Sequence, residues 1–523
     1  MRTVELEKER NPLTRSAVTE QAVRANFCER GLVVRPELAR FASEMVGLLE
    51  NPQRVSYKPG KEFVGAPGIG KTTHLESLRE ACATLGIPRA WFNFNSGESK
   101  LSAYSADPCL LVEDLTTQLA ETRPKTMLPA ERATLDTAIA CYRDGVGYDP
   151  RLADGLGCKL GTALLDHIRR YEMQTPVAIF IDATQRANPA VIGWMGEYIL
   201  PYLSQSGRCL FVFAGQVPVH WRSPAVRWRV TTEKLGAFAP ELTQEQCGLA
   251  NFPGLAGVAG EIQALTGGHP LANAVVLSRL RELATAGEEI RPDALARRET
   301  ELLNLIGTEV VDSCAFREVR KELADACRAI ALVRRFGVGH LRAILPKSVP
   351  FFADYPQDSF GGLLALLHAT HLIGWNDADR QPAGYGIDPA LRHLIALHTQ
   401  KTNPALWATV NQGAAAVYED YAQRIGKYFF GHFRSDNRII LTKAITDQSP
   451  GPYLVEALYH RACLGEDSLA TIRKWLTQFG GQTNQGKRLV SEQIRMALQE
   501  DKDLRAKIGE EKTAELMAIL QRT

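Results

Sequence analysis

The chain has 523 residues, 45% of them hydrophobic and 23% charged, a length that implies about three to four domains at roughly 100–200 residues each. Its composition supports a packed core and excludes wholesale disorder. With 61 Lys+Arg against 59 Asp+Glu the formal charge is +2, which leaves no global footprint for nucleic acid.

Residues 1–20 are charged, carry no apolar signal core and read as a mobile arm. From Gln21 the spacing turns helical. Leu38, Phe41, Ala42, Met45, Val46 and Leu49 follow i, i+3, i+4, i+7 and mark one buried face. A short strand is predicted at 62–65 and a helix from Gly70 to Gly86. A second strand follows at 90–95, then a helical region over 107–172 with breaks near Pro124, Pro129 and Gly145. Two apolar strands come next, over 177–182 and 209–214, and 228–232 supplies a fifth. These runs are strand-length, far below the ~20 residues of a spanning helix. Apolar strands separated by helices predict a parallel sheet covered on both faces. Beyond Pro240 the segments read as helical apart from one hairpin, with breaks near Gly431, Pro450 and Gly480. The ten cysteines form no C-x-x-C pair, as expected of reduced thiols in a cytoplasmic protein.

One motif carries most of the chemistry. Gly65, Ala66, Pro67, Gly68, Ile69, Gly70, Lys71, Thr72 and Thr73 match G-x-x-x-x-G-K-[ST] between a predicted strand and a helix. Its glycines let backbone N–H groups turn toward phosphate oxygens, and the helix adds its positive end. Lys71 supplies a charge to the β- and γ-phosphates, and the Thr72 hydroxyl is a ligand for Mg²⁺. The pattern predicts nucleoside triphosphate binding. No N-K-x-D guanine-reading motif occurs, so ATP is the expected nucleotide.

Asp182 ends the apolar run 177–182 at the carboxyl edge of the sheet, where ligands collect. It is the candidate second ligand of Mg²⁺, against the alternative of a helix-capping aspartate. The ~110 residues between Thr72 and Asp182 leave room for an intervening strand, as in the AAA+ and related classes of P-loop ATPase, which the core resembles. Many of those relatives carry a further acidic residue directly after this Asp or three positions on. Ala183 and Gln185 stand there. A glutamine orients water but is a poor general base, so slow turnover is expected unless an acid outside the motif serves. Gln216, after the strand over 209–214, is the candidate γ-phosphate sensor. Arg222, Arg227 and Arg229 lie among tryptophans. They read as an arginine finger for a neighbouring copy, a nucleic-acid loop, or solvated charges over aromatic rings.

Gly267-Gly268-His269-Pro270 opens a helix about 85 residues after Asp182 and resembles the Gly-x-Pro motif of STAND-type NTPases, the class with NB-ARC and NACHT domains. The resemblance implies that Pro270 contacts the adenine, with His269 a weaker candidate. It also implies that a small helical domain closes over the nucleotide. Val34-Arg35-Pro36-Glu37-Leu38 is similar to the lead-in of that class. Helix, strand, polar turn and strand over 361–392 look like its winged-helix domain. The sequence departs from the class at Asp388 and Pro389, where a diphosphate-sensing His and Asp stand in NB-ARC proteins, leaving Arg392 as the nearby cation.

The expected fold is therefore an α/β P-loop NTPase sheet with a helical lid, a winged-helix domain and an all-α C-terminal region. The expected divisions are an arm (1–20), a nucleotide-binding domain (21–239), a lid (240–305), a winged helix (306–400) and a helical region (401–523). The resemblance implies a nucleotide-driven switch, binding ATP or ADP with Mg²⁺, that self-associates and signals through a separate effector or partner protein, with a role in defence among its roles. The competing expectation is a DNA-handling AAA+ ATPase of the origin-recognition or transposition-regulator kind. The +2 charge and Asp377 and Asp379 in the presumed wing disfavour it. His368 and His371 lack a third ligand pattern for zinc. The basic stretch Arg424, Lys427, Arg434, Arg438 and Lys443, with interleaved aromatics, reads as a solvated face over a packed core.

Overall fold

The computed structural model describes residues 32–44 apart from 38 and 42, then 58–94, 107–122, 129–172, 175–376 apart from 251 and 253, 382–432, 449–480 and 484–521. The expected arm, the helical positions 45–49, most of the turn 377–384, and Arg434, Arg438 and Lys443 lie outside these residues. The chain forms two compact units, Met1–Ala296 and Arg297–Thr523.

The first unit is built on five parallel strands: β1 (Gly60–Val64), β2 (Arg89–Asn93), β3 (Val177–Asp182), β4 (Cys209–Gly215) and β5 (Val230–Lys234). Their order is β2-β3-β4-β1-β5. Every residue of the interior strands β3 and β4 is buried, which explains their unbroken apolar runs. Helices α1 (Lys71–Thr84), α2 (Pro108–Thr122), α3 (Pro129–Tyr148) and α4 (Ala153–Glu172) precede β3. Phe92, Leu115, Leu164, Ile168, Ile179, Ile181, Phe211 and Phe213 form the core between sheet and helices. The break expected near Gly145 falls at Asp149, after α3 ends at Tyr148. Gly145 itself lies inside α3, where a Cβ would collide with the Leu156 side chain of α4, so the glycine serves helix–helix packing. At the sheet's edge the Gln118 amide accepts from Trp91 N–H (2.7 Å) and donates to Trp91 C=O (3.0 Å), closing the open side of β2. After β5 come α5 (Pro240–Leu249), α6 (Ala259–Thr266) and α7 (Pro270–Thr285).

The second unit holds α8 (Lys321–Ile330), α9 (Val338–Ser348) and α10 (Phe360–His368), followed by the antiparallel pair β6 (Ile373–Asn376) and β7 (Gly384–Ile387). An isolated bridge from Phe336 to Tyr385 adds a third extended segment to that pair. The described residues beyond are helical, including α11 (Pro389–Thr402), α12 (Pro404–His432) and α13 (Gly451–Cys463). Arg334 fixes the segment after α8. Its guanidinium donates to both oxygens of Glu456 (3.0 Å each) and to Asp501 (2.6 Å), and lies over the Tyr459 ring.

Candidate nucleotide site

The phosphate loop leaves the carboxyl end of β1. Gly68 (φ 74°) and Gly70 (φ 92°) adopt the left-handed region, which side-chain-bearing residues enter only at a cost. These turns curl the chain into α1, whose first N–H groups, those of Thr72 and Thr73 among them, lie where helical geometry supplies no acceptor. Lys71 Nζ donates to the carbonyls of Gly65 and Ala66, each at 2.7 Å. Thr72 Oγ1 donates to Asp182 Oδ2 at 2.6 Å, which unites two predicted residues 110 positions apart.

Asp182 is buried, and its other oxygen accepts from Ala183 N–H (2.8 Å). Burial pushes its carboxyl above the usual range. The Thr72 and Ala183 hydrogen bonds and the Lys71 charge act the other way without cancelling it. A hydroxyl and a carboxylate are hard oxygen donors, and no cluster of three or more His, Cys, Asp or Glu that could hold a metal occurs among the described residues. Two such donors, with the remaining positions left to phosphate and water, suit Mg²⁺.

The chain turns sharply after Asp182, with Ala183 at φ 57°, a conformation rare outside glycine and asparagine. The turn lays Thr184 and Gln185 against the end of β4, where Gly215 has no side chain to obstruct them. Gln185 Oε1 accepts from Gln216 N–H (3.1 Å). Gln216 Oε1 and Thr184 Oγ1 are buried without a hydrogen-bond partner. Gln185 and Gln216 are thus neighbours, joined by Gln185's carbonyl oxygen. Among the last residues of the five strands, Asp182 alone is acidic.

Two residues hold the loop from outside, Arg35 of the lead-in and His269, which sequence reasoning offered only as a weaker candidate for the base. Arg35, 7% exposed, donates to Ile69 C=O (2.9 Å) and Gly236 C=O (3.0 Å) and lies over the Phe238 ring. Burial lowers its pKa, opposed by Glu37. His269, fully buried, caps α7 by accepting Ala272 N–H on Nδ1 (3.3 Å), and its Nε2 stands 3.0 Å from Pro67 C=O. The signals were present, an Arg in the lead-in and a cap-position His before Pro270 at the first turn of α7. Pro270 is buried. Behind the loop His74, packed edge-on to Phe63, is driven down to about 3 by burial, with the Arg35 charge adding to the effect. Arg222, Arg227 and Trp228 are exposed, Trp228 by 74%, whereas Arg229 reaches Ser204 Oγ (3.3 Å). In the second unit Asp388 caps α11 and Arg392 pairs with Asp503 (3.2 Å).

The sheet fits a P-loop NTPase. No protein-family model matches the chain, and no curated protein matches it. Among solved structures it is similar to a signal transduction ATPase with numerous domains (STAND) carrying a tetratricopeptide repeat sensor, from Pyrococcus horikoshii. That similarity has 12% identity and a TM-score of 0.25, over 94% of this chain and 67% of the other. No helix among the described residues is long and apolar enough to cross a membrane.

Proposed function

We propose that the chain is an ATP-binding, slowly hydrolysing molecular switch of the STAND type. The observation that carries this reading is the 2.6 Å contact of Thr72 with Asp182 beside Lys71, on a loop whose glycines turn it toward an anion. Lys71 neutralises the β- and γ-phosphates, and Thr72 and Asp182 hold Mg²⁺, which screens charge on the phosphates when bound. Gly65 to Thr73 cradle the phosphates, and Pro270 contacts the base. Gln185 and Gln216 face the γ-phosphate. Turnover is slow because a glutamine whose carbonyl oxygen already accepts from Gln216 N–H removes protons poorly.

The lid spans 240–305, and its helices up to Ala296 belong to the same compact unit as the sheet. Residues 306–400 form a winged helix, a reading supported by the order α8, Phe336 bridge, α9, α10, β6, β7. The exposed positions of α10 are Gly361, Gly362, Ala365, Leu366 and His368. They include no Lys or Arg for a phosphate backbone, which favours the switch over the DNA-handling alternative. Nucleotide state controls domain closure and self-association, with exposed Arg222 and Arg227 available to a second copy, and the signal passes to a separate partner protein. Residues from 401 onward form the helical C-terminal region.

Titration with fluorescent ATP and ADP, with and without Mg²⁺, tests the site together with radiolabelled ATP turnover. Wild type binds with slow turnover, Lys71→Ala loses binding, and Asp182→Ala loses the Mg²⁺ dependence. Equal binding by wild type and Lys71→Ala would sink the reading.

A further inference from the structure

The outer side of the phosphate loop carries an unassigned coupling. When loop N–H groups converge on an anion, the carbonyls between them turn away from it and need donors of their own. Arg35 serves Ile69 and His269 faces Pro67, whereas Lys71 bonds Gly65 and Ala66 from the phosphate side. His269 alone among these comes from the helices that follow β5. Its tautomer follows from its partners. Nδ1 accepts the Ala272 N–H, so the ring proton sits on Nε2 and is donated to Pro67 C=O.

The contact is tight as well as directional. A Cβ on Gly68 would lie 2.7 Å from His269 Cε1 and 3.0 Å from Leu271 Cδ2, so the loop and the first turn of α7 pack at glycine distance. A second path joins the same parts. Phe238 N–H donates to Gly268 C=O (2.8 Å), while Arg35 lies over the Phe238 ring and bonds both Gly236 and Ile69. If α7 moves outward, the His269 ring parts from the half-buried Pro67 carbonyl, at the cost of that hydrogen bond.

We propose that His269 is a positioning residue that couples the seating of α7 to the anion-binding shape of the phosphate loop, and so sets the rate at which a bound nucleoside polyphosphate leaves. The inference rests on the nucleotide site argued above. Because coupling is reciprocal, nucleotide holds α7 in place through His269, and a seated α7 holds the nucleotide.

Two substitutions in the full-length chain separate the contact from the cap. His269→Asn keeps an acceptor near Ala272 N–H but does not reach Pro67. His269→Gln carries an amide N–H to the Nε2 position and weakens the cap. Stopped-flow chase of fluorescent ADP and ATP should show release about tenfold faster from His269→Asn, the scale of one lost buried hydrogen bond, and within about threefold of wild type from His269→Gln. Wild-type rates in His269→Asn, or equal acceleration in both variants, overturn the proposal. If His269→Asn does not fold, hydrogen exchange of wild type decides: nucleotide should slow exchange of the 271–274 amides at least tenfold, and no change overturns the coupling. Absence of nucleotide binding by wild type would instead overturn the site itself.

Discussion

Adding a single methyl group at two positions of the phosphate loop separates backbone strain from packing against α7. Gly68 and Gly70 both have positive φ, 74° and 92°, so alanine at either forces a left-handed residue at about 1–2 kcal/mol. The entropy that alanine removes from the unfolded chain, about 0.4–1 kcal/mol, is common to both and cancels in their comparison. At Gly70 a Cβ meets nothing within 4 Å, so strain is the whole cost. At Gly68 it meets His269 Cε1 at 2.7 Å and Leu271 at 3.0 and 3.2 Å. The His269 ring has two hydrogen bonds that resist a shift, and overpacking of this kind adds about 1–3 kcal/mol. At about 2–4 °C per kcal/mol for a unit near this size, nucleotide-free Gly68→Ala should melt about 2–12 °C below Gly70→Ala. Differential scanning calorimetry of both, with Gly68→Ala/His269→Ala as a third arm, makes the measurement. The double variant should recover part of the deficit, since the residues touch and their effects are not additive. Equal melting of the two single variants would refute the packing argument.

Three further outcomes follow from the site's electrostatics. Asp182 has its pKa raised by burial, so its ionised form opposes folding, and stability from this group declines as pH climbs from the unfolded value toward the folded one. Asp182→Asn should therefore melt no lower than wild type without nucleotide while losing Mg²⁺-dependent binding at least about tenfold, read by calorimetry and titration. His74 shifts oppositely, from 6.5 to about 3, so its contribution is present above pH 6.5 and is lost as pH falls toward 3. His74→Leu should flatten the fall in stability below pH 6.5 by about 1.4 kcal/mol per pH unit, checked by denaturation at stepped pH. Gln185→Glu keeps an oxygen for Gln216 N–H and adds a base. It should raise ATP turnover by about 10²-fold in a phosphate-release assay, and an unchanged rate would place water activation elsewhere.

The sheet was legible because buried parallel strands leave unbroken apolar runs, as β3 and β4 do. The meeting of Thr72 with Asp182 was legible because a phosphate-loop pattern and a strand-end acid constrain both residue type and spacing. Arg35 and His269 were not assigned their contacts, since each acts on a backbone carbonyl, and a carbonyl leaves no residue-specific mark in a sequence. The break near Gly145 falls a few residues later, at Asp149, because a glycine that ends a helix and one that admits a neighbouring Leu156 look alike until the partner helix is known. The strain at Ala183 was equally hidden, because alanine gives no hint of a left-handed turn.

The division of labour around the loop bears on how such a switch is reset. On the proposed reading Lys71, Thr72 and Asp182 meet phosphate and metal, while Arg35 and His269 bond loop carbonyls from outside. On that reading the chemistry is weak, because Ala183 and Gln185 put no carboxylate beside Asp182. An ATP-binding protein that cleaves its ligand slowly changes state mainly by letting the ligand go. Its timing then depends on whatever stabilises the loop while the ligand is bound. Two buried donors from outside the loop do this, one from the lead-in segment and one from the first turn of α7. On the proposed reading, loosening either should raise the release rate without touching a phosphate-binding group, so that a partner displacing α7 or the 32–37 segment would reset the switch from the rear of the site.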